Sequence, residues 1–411
     1  MHCYRTVKNA RAMRIPFLAI LKDNGSSSTQ YLSMQESRRS HQAAQRLQRP
    51  ARLPDETPGA RPDQIPETRH ARETWGSTVS PASRRVHSSD IQNFPQPGHE
   101  CQQVASSMPD ESAQVRFLIV GRTGWIANMV AELLEQRGER YAFASFRLEQ
   151  REACERELDA LCPQRVLNCA GVTGRPNVDW CEDHRRETVR SNVLGVLNLA
   201  DCCASRGIHL TNFATGCLYH YDDGEHRPTA EGGRPFTEDD PPNFFGSYYS
   251  RTKAMVEELL RSAFDNVLIL RLRMPVSDDL SPRSFVTKIA RYEKVVNIPN
   301  SMTVLTELLP VALDMSERGL TGVYNFTNPG SISHNEVLEL YRKYIDPKFQ
   351  WKNFTLEEQA KILKAGRSNC ELDVRKLLRD NPGAQIREVH AAMEEVFRRM
   401  QAKGVKPLVA P

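Results

Sequence analysis

The sequence carries no strong excess of charge and no long apolar run. Its 55 basic and 51 acidic residues leave a net charge of only +4 over 411 residues, and no DNA- or RNA-binding motif is present. The longest apolar run near the N-terminus, residues 15–21, is too short to cross a bilayer. We therefore expect no nucleic-acid partner and no membrane span.

Cysteine pairs with metal-site or redox spacing are also missing. The ten cysteines include the adjacent residues Cys202 and Cys203 but no C-x-x-C pair, and no secretory signal is recognisable. Reduced thiols in a cytoplasmic protein are the simplest interpretation. We predict no metal ion.

The first 113 residues have little periodic apolar pattern and are rich in Ser, Gln, Pro and Arg. Residues 1–50 carry nine Lys or Arg but only two acidic residues. Three interpretations remain open: a disordered tail, an organelle transit peptide, and an extension from an upstream start codon. We expect the folded domain to occupy residues 114–400 and a short tail to follow at 401–411.

The most informative stretch is FLIVGRTGWIA, at Phe117–Ala127. Its four leading apolar residues predict a buried parallel strand. Gly121, Gly124 and Ala127 follow with the spacing of a dinucleotide-binding turn, and a helical apolar stripe then runs to Gly138. Small residues also serve plain helix–strand packing. With this strand before it and this helix after it, however, the turn predicts an α/β, doubly wound Rossmann sheet that binds a nicotinamide cofactor.

Later segments continue the α/β pattern. Strands are predicted at 141–145, 165–171 and 209–215, and a long helix at 183–206. Residues 274–400 are expected to form most of a smaller substrate-binding lobe.

The end of the second predicted strand bears on the choice of cofactor. NAD-specific sites usually carry an acidic residue about 20 residues beyond the glycines, where this sequence has Arg147. A guanidinium suits a 2′-phosphate, so NADPH is favoured over NADH, although Arg147 could also be a plain surface residue. Arg122 is a second candidate phosphate contact. The predicted cofactor contacts are Gly121, Arg122, Thr123, Gly124, Trp125, Ile126, Arg147, Ala170, Gly171, Asn192, Tyr249 and Lys253.

A second informative stretch is GSYYSRTKAMVEELL, which places Tyr249 and Lys253 on one face of a helix. A cation at this spacing would favour the phenolate by about 3–4 kcal/mol and so lower the pKa of Tyr249. Thr215, at the end of a predicted strand, would hold the substrate oxygen. A Y-x-x-x-K spacing often arises by chance. On a Rossmann core, however, this set resembles the extended short-chain dehydrogenase/reductase superfamily, which implies hydride transfer at a sugar carbon.

Two further residues are candidates for proton transfer. Cys217 lies two positions beyond Thr215, and a thiol near that pocket can exchange a proton at a carbon next to a ketone. A small buried apolar role is the alternative for this cysteine. Lys288 lies on a predicted helix, where its spacing alone suggests a solvated charge.

Longer stretches resemble one family closely. TGRPNVDWCE, NFATGC, NIPNSMTVLTELLP and WKNFTLEEQAK are similar to the eukaryotic nucleotide-rhamnose synthases, epimerase-reductases that act on UDP-4-keto-6-deoxyglucose. These are related to bacterial dTDP-4-dehydrorhamnose reductase. The resemblance covers residues 115–396 and implies that one site inverts C3 and C5 of the 4-keto sugar and then reduces C4 with NAD(P)H.

The resemblance also implies residue roles. The family's catalytic threonine, tyrosine and lysine correspond to Thr215, Tyr249 and Lys253, and its epimerising cysteine and lysine to Cys217 and Lys288. It further implies that UDP contacts residues 300–305. The sequence departs from the family's usual glycine turn, which carries Lys and Gly where this chain has Arg122 and Ala127.

Two other functions stay open on sequence grounds. One is a 4-reductase that receives sugar already epimerised, and the other is a non-catalytic, cofactor-binding regulatory subunit. The presence of the complete catalytic set weighs against the second. UDP and dTDP sugars are not distinguished, and a homodimer is compatible with the sequence.

Overall fold

The structure is a computed structural model that describes residues 114–222 and 224–408. The interpretations of residues 1–113, and the end of the predicted tail at 409–411, lie outside the described residues. None of the helices in these ranges has the length and apolar character to cross a membrane.

A six-stranded parallel sheet organises the described chain, with strand order β2-β1-β3-β4-β5-β7. Two short strands, β6 and β8, pair separately. The strands are β1 (Phe117–Val120), β2 (Tyr141–Phe143), β3 (Arg165–Asn168), β4 (His209–Thr215), β5 (Val267–Leu272), β6 (Lys294–Val295), β7 (Gly322–Asn325) and β8 (Lys352–Asn353). The predicted doubly wound fold is therefore confirmed.

Two strands end earlier than the sequence predicts. After β2, the Ser145 amide donates to the Glu157 carboxylate, 2.9 Å away, and so leaves the sheet. After β3, Asn168 Oδ1 accepts from the Ala170 amide at 3.1 Å, which turns the chain out of the sheet. Both ends thus follow from a side chain that captures a backbone donor.

Helices cover both faces of the sheet. Phe117 and Ile119 of β1 pack into one apolar cluster and Leu118 into the other, as expected for a parallel strand buried on both sides. The helices are α1 (Trp125–Gln136), α2 (Arg151–Leu161), α3 (Trp180–Asp183), α4 (Arg185–Val189), α5 (Gly195–Ala204), α6 (Tyr248–Ala263), α7 (Phe285–Ile289), α8 (Leu305–Glu317), α9 (His334–Tyr344), α10 (Leu356–Ile362), α11 (Arg375–Asp380) and α12 (Val389–Ala402).

The prediction of one long helix at 183–206 is confirmed apart from its ends, since α4, a π-helical turn and α5 follow one another without a break from Arg185 to Ala204. The chain bends at His184, between α3 and α4, and a π-helical turn at Arg190–Leu194 precedes α5. Gly195, directly after this turn, packs closely against Leu148, since a Cβ on Gly195 would lie 2.5 Å from Leu148 Cβ. The wider turn carries Asn192 inward, where its side chain meets the chain that leaves β3.

A third apolar cluster lies beyond the main sheet. It includes Val286 of α7, Val337 of α9 and Phe397 of α12. By contrast, α8 packs into the same cluster as β1. The residues beyond 274 therefore contribute both to this separate cluster and to the main sheet.

Candidate active site

The glycine turn lies where β1 leaves the sheet, between its neighbours β2 and β3. Gly121 has φ +103°, and a Cβ on it would lie 2.9 Å from the Ala170 amide nitrogen beyond β3. Only glycine allows this close backbone approach at a positive φ. The turn closes with a 2.7 Å bond from the Gly124 amide to the Gly121 carbonyl, and α1 begins at the next residue. This is the crevice in which doubly wound sheets bind dinucleotides.

The opposite wall of the crevice is held by Asn192. Its Oδ1 accepts from the Val172 amide and its Nδ2 donates to the Val172 carbonyl, both at 2.8 Å. A Cβ on Gly171 would lie 3.6 Å from the same Oδ1. Asn192 thus fixes the backbone that follows Ala170 and Gly171, and its predicted contact with the cofactor stays a prediction.

The two candidate phosphate contacts are exposed near the end of β2. The Arg122 guanidinium lies 5.9 Å from the Phe143 ring centre. The side chain of Arg147 has no hydrogen-bond or ion-pair partner within 114–222 and 224–408. The Glu157 carboxylate near the strand end is already bonded to Ser145. The two guanidinium groups fit a ribose 2′-phosphate.

Helix α6 carries Tyr249 and Lys253 on its buried face. Ser247 caps the helix by accepting from the Ser250 amide at 3.0 Å, and the Tyr248 amide donates to Glu182 Oε1 at 2.6 Å. Lys253 Nζ has no hydrogen-bond partner among the described residues. A buried ammonium with unused donors fits the ribose hydroxyls of a nicotinamide cofactor.

The electrostatics of this pair differ from the sequence prediction. Burial raises the pKa of Tyr249, the nearby Cys217 raises it further, and a hydrogen bond with Thr215 opposes the change. The predicted lowering of the Tyr249 pKa is therefore wrong for the protein without cofactor, because desolvation of the phenolate has the largest effect. Burial also lowers the pKa of Lys253 to about 8, against an opposing effect of Glu257.

The remaining catalytic candidates meet at the end of β4. Thr215 Oγ1 accepts from the Cys217 amide at 3.1 Å and also bonds Tyr249. Lys288 is an exposed residue of α7. Desolvation and the charge of Arg283 lower the pKa of Lys288, and an electrostatic interaction with Cys217 opposes this change. The fold thus brings Tyr249 and Lys288, from two separate helices, to the turn that carries Thr215 and Cys217.

The expected UDP contact at residues 300–305 is not supported. All six residues are completely buried. Asn300 Nδ2 donates to Asn369 Oδ1 at 3.0 Å, and its Oδ1 accepts from the Cys370 amide, also at 3.0 Å. This segment is therefore internal packing and leaves no surface for a nucleotide.

Sequence reasoning missed a buried arginine behind the catalytic turn. The Arg273 guanidinium donates to the Gly216 carbonyl at 3.2 Å and to Ser368 Oγ at 2.7 Å. It also bonds Asn300 Oδ1. Arg273 therefore ties the backbone between Thr215 and Cys217 to the C-terminal segments. The signal was present in the sequence, where two arginines alternate at the end of an otherwise apolar strand, VLILRLR.

A doubly wound sheet with a glycine turn at its switch point, and a threonine, tyrosine and lysine beside it, defines a Rossmann protein of the short-chain dehydrogenase/reductase class. The chain belongs to the RmlD substrate-binding-domain family, which matches residues 115–401.

Curated relatives agree with the resemblance found in the sequence. A bifunctional dTDP-4-dehydrorhamnose 3,5-epimerase/dTDP-4-dehydrorhamnose reductase of Arabidopsis thaliana is 56% identical over 280 residues, 68% of this chain and 92% of the relative. A trifunctional UDP-glucose 4,6-dehydratase/UDP-4-keto-6-deoxy-D-glucose 3,5-epimerase/UDP-4-keto-L-rhamnose-reductase of the same plant is 54% identical over 273 residues. The match spans 66% of this chain but only 40% of that relative.

Solved structures give the same family. A UDP-rhamnose synthase of Acanthamoeba polyphaga mimivirus is 40% identical, with a TM-score of 0.66 over 70% of this chain and 100% of that one. The fold is shared with a dTDP-4-dehydrorhamnose reductase of Bacillus anthracis solved with NADP, at 19% identity and a TM-score of 0.59 over 69% of this chain and 99% of that one. The predicted membership of the nucleotide-rhamnose synthases and their reductase relatives is confirmed.

Proposed function

We propose that this chain converts UDP-4-keto-6-deoxyglucose to UDP-L-rhamnose by 3,5-epimerisation followed by 4-reduction. The observation that carries the proposal is the meeting of Thr215, Cys217, Tyr249 and Lys288 at the end of β4. The activities named for the plant and mimivirus relatives support it. A substrate lobe built mainly from residues 274–400 would hold the sugar nucleotide over this point.

Epimerisation requires proton exchange at C3 and C5, the two carbons that flank the C4 carbonyl. The carbonyl takes up the electron pair as an enolate when a proton leaves, and a proton returned to the opposite face inverts the carbon. Cys217 and Lys288 carry these protons in the proposed site. The electrostatic effect of Cys217 on Lys288 supports a shared role.

Reduction uses different residues. NADPH, when bound, supplies a hydride to C4. Tyr249 donates its proton to O4, and Thr215 holds that oxygen by a hydrogen bond. Lys253 holds the cofactor ribose and offsets the negative charge left on Tyr249. Burial raises the pKa of Tyr249, so the phenol keeps its proton at neutral pH until O4 accepts it.

The preference for NADPH over NADH rests on Arg122 and Arg147. Both side chains are exposed near the end of β2, where a ribose 2′-phosphate would lie. The Rossmann crevice itself fits either cofactor, and structural neighbours were solved with NADP or with NAD+.

A homodimer and a cytoplasmic location complete the proposal. Leu194, Met255 and Leu259 are exposed apolar residues on the π turn and on the outer face of α6. A second copy of the chain would cover them, and light scattering of the purified protein tests this.

Cys154, Cys181 and Cys217 are among the cysteines with free thiols, which suits a reducing compartment such as the cytoplasm.

The decisive experiment mixes the purified protein with UDP-4-keto-6-deoxyglucose and NADPH and identifies the sugar by NMR. UDP-L-rhamnose supports the proposal. Reduced sugar with the original configuration at C3 and C5 would indicate a pure 4-reductase. No turnover with retained NADPH binding would indicate a regulatory subunit.

A further inference from the structure

One buried acid on the catalytic helix has no role in the reaction described above. Tyr249, Lys253 and Glu257 follow one another at intervals of four residues on α6, and their exposed fractions are 9%, 6% and 5%. This spacing stacks them on one face of the helix. Glu257 therefore lies one helical turn beyond Lys253, in line with the two catalytic side chains.

Lys253 needs a nearby negative charge if it is to stay protonated. Desolvation disfavours the ammonium form and lowers the pKa of Lys253 to about 8. Among residues 114–222 and 224–408 its Nζ has no hydrogen-bond partner that would offset this cost. Glu257 acts across space in the opposite direction and raises the pKa of Lys253.

Glu257 is itself held rigidly by Arg271 of β5. The Arg271 Nε lies 3.1 Å from both carboxylate oxygens, and Nη2 bonds Oε1. The remaining donors of Arg271 point to other elements, with 3.3 Å to Asn325 Oδ1 and 3.4 Å to the Glu238 carbonyl. This two-pronged ion pair fixes the carboxylate in place on the buried face of α6.

We propose that Glu257 is a positioning residue that keeps Lys253 in its ammonium form at neutral pH, a role that rests on the proposed reductase function. A neutral amine could not balance the phenolate that remains after Tyr249 gives its proton to O4. Without Glu257, burial alone would favour that neutral amine. The ion pair with Arg271 thus serves the reaction as well as the packing of α6 against the sheet.

Other ionisable groups reach this region from the elements packed against α6, and any of them could influence the titration. The buried polar residues of α4 and the π turn are neutral. The ionisable groups include Tyr249 and Arg261 on α6 itself, Arg271 from β5, Cys181 and Glu182 from α3, Arg185 from α4, Cys202 and Cys203 from α5, Cys217 beyond β4, and Glu238, which is buried beside Arg271. Glu257 is the acidic side chain among them that is both buried and one helical turn from Lys253.

The test follows the titration of Lys253 by NMR in cofactor-free protein labelled with carbon-13 at the lysine side chain. Loss of one signal in Lys253→Arg assigns the resonance. In Glu257→Gln we expect the midpoint to move to lower pH by about one unit. The matched control is Glu258→Gln, which neutralises the adjacent, exposed acid on the same helix and should leave the midpoint unchanged. An unchanged midpoint in Glu257→Gln overturns the proposal.

Removal of Glu257 alone leaves Arg271 buried without its partner, which can prevent folding. The double substitution Glu257→Gln with Arg271→Met removes both charges and should show the same shift. The unsubstituted protein provides a further check, because a Lys253 midpoint below pH 7 would overturn the proposal without any variant.

Turnover gives a second, independent measurement. The rate of NADPH oxidation should fall as pH rises and Lys253 loses its proton, and in Glu257→Gln this fall should occur at lower pH. Unlike turnover, the NMR titration needs neither substrate nor cofactor. A shifted titration in a protein that makes no rhamnose would refute the proposed function alone, whereas normal synthesis without a shift would refute the role of Glu257 alone.

Discussion

Tyr249 and Cys217 lie on either side of Thr215 in the site, yet the proposed reaction gives them different steps. Tyr249→Phe removes the proton donor to O4 and should stop NADPH oxidation. It leaves Cys217 and Lys288 in place, so the C3 and C5 protons should still exchange with deuterated water, as NMR of the 4-keto substrate can measure.

Cys217→Ala should have the reverse effect, with exchange lost at one or both carbons. If both protons exchanged at the rate of the unsubstituted enzyme, Cys217 would be a packing residue and the epimerase assignment would fail.

Arg147 should discriminate between the two cofactors. Arg147→Ala removes a charge-assisted pair with the 2′-phosphate, worth about 1.5–3 kcal/mol, or roughly 10- to 100-fold in KM for NADPH. NADH has no such phosphate and should be nearly unaffected. Steady-state kinetics with both cofactors measures this, and an equal loss for the two would show that Arg147 contacts no phosphate.

Lys253 should lower the stability of the cofactor-free protein at neutral pH. Its pKa is about 8 in the fold against an ordinary value of 10.5. Below pH 8 the ammonium is present in both folded and unfolded states, and its burial costs about 3 kcal/mol. As pH rises from 8 to 10.5, the folded protein holds the neutral amine and the cost disappears.

We therefore expect Lys253→Met to stabilise the cofactor-free protein at pH 7 and to lose that advantage near pH 10. Urea unfolding at the two pH values measures the difference. Lys352→Met, at an exposed position on β8, serves as the control. A gain for Lys253→Met that was equal at both pH values would instead reflect better packing.

The elements that follow from local chemistry were predictable from the sequence. β1, β4 and the paired positions on α6 match their predictions because apolar runs and helical spacing are local signals. The π-helical turn between α4 and α5 was not predictable. It depends on the contact of Gly195 with Leu148 and of Asn192 with Val172, both far away in sequence.

The π turn before α5 offers a test at this scale. Asn192→Ala removes two hydrogen bonds to the Val172 backbone, which is partly buried, at a cost of about 1 kcal/mol. Because the same backbone forms one wall of the crevice, NADPH binding should weaken as well.

The control is Asn266→Ala, which removes a 2.7 Å bond to the Ile208 carbonyl at the opposite end of the sheet. It should lower the melting temperature without changing NADPH affinity. Similar losses of affinity in both variants would mean that Asn192 acts through general stability alone.

The electrostatic environment of the site belongs to the whole fold, and this is why the sequence misjudged it. The spacing of Tyr249 and Lys253 was correct, but the sequence contains no measure of how deeply both would be buried. Desolvation then decides the direction of the Tyr249 pKa. The same limit applies to residues 300–305, which are completely buried and in which Asn300 bonds Arg273 and residues 369–370.

A shortened protein that begins at Val115 should fold and keep full turnover. Its sequence retains β1 and every residue assigned to the site, and the family match also begins at residue 115. Thermal unfolding and the coupled assay with NADPH measure the outcome. A protein that begins at residue 122 lacks β1, which pairs with both β2 and β3, and should not fold. A large loss on removing residues 1–114 alone would show that they belong to the enzyme.

The alignment of three functional side chains along α6 also limits how this segment can diverge. Inserting one residue after Lys253 would rotate the rest of the helix by about 100° and advance it by about 1.5 Å. Glu257 would then turn away from Arg271, and that buried guanidinium would lose its counter-charge. Substitutions on the outer face leave this alignment intact. The length of the segment between Tyr249 and Glu257 should therefore stay constant among active descendants of this chain, even where its exposed residues vary.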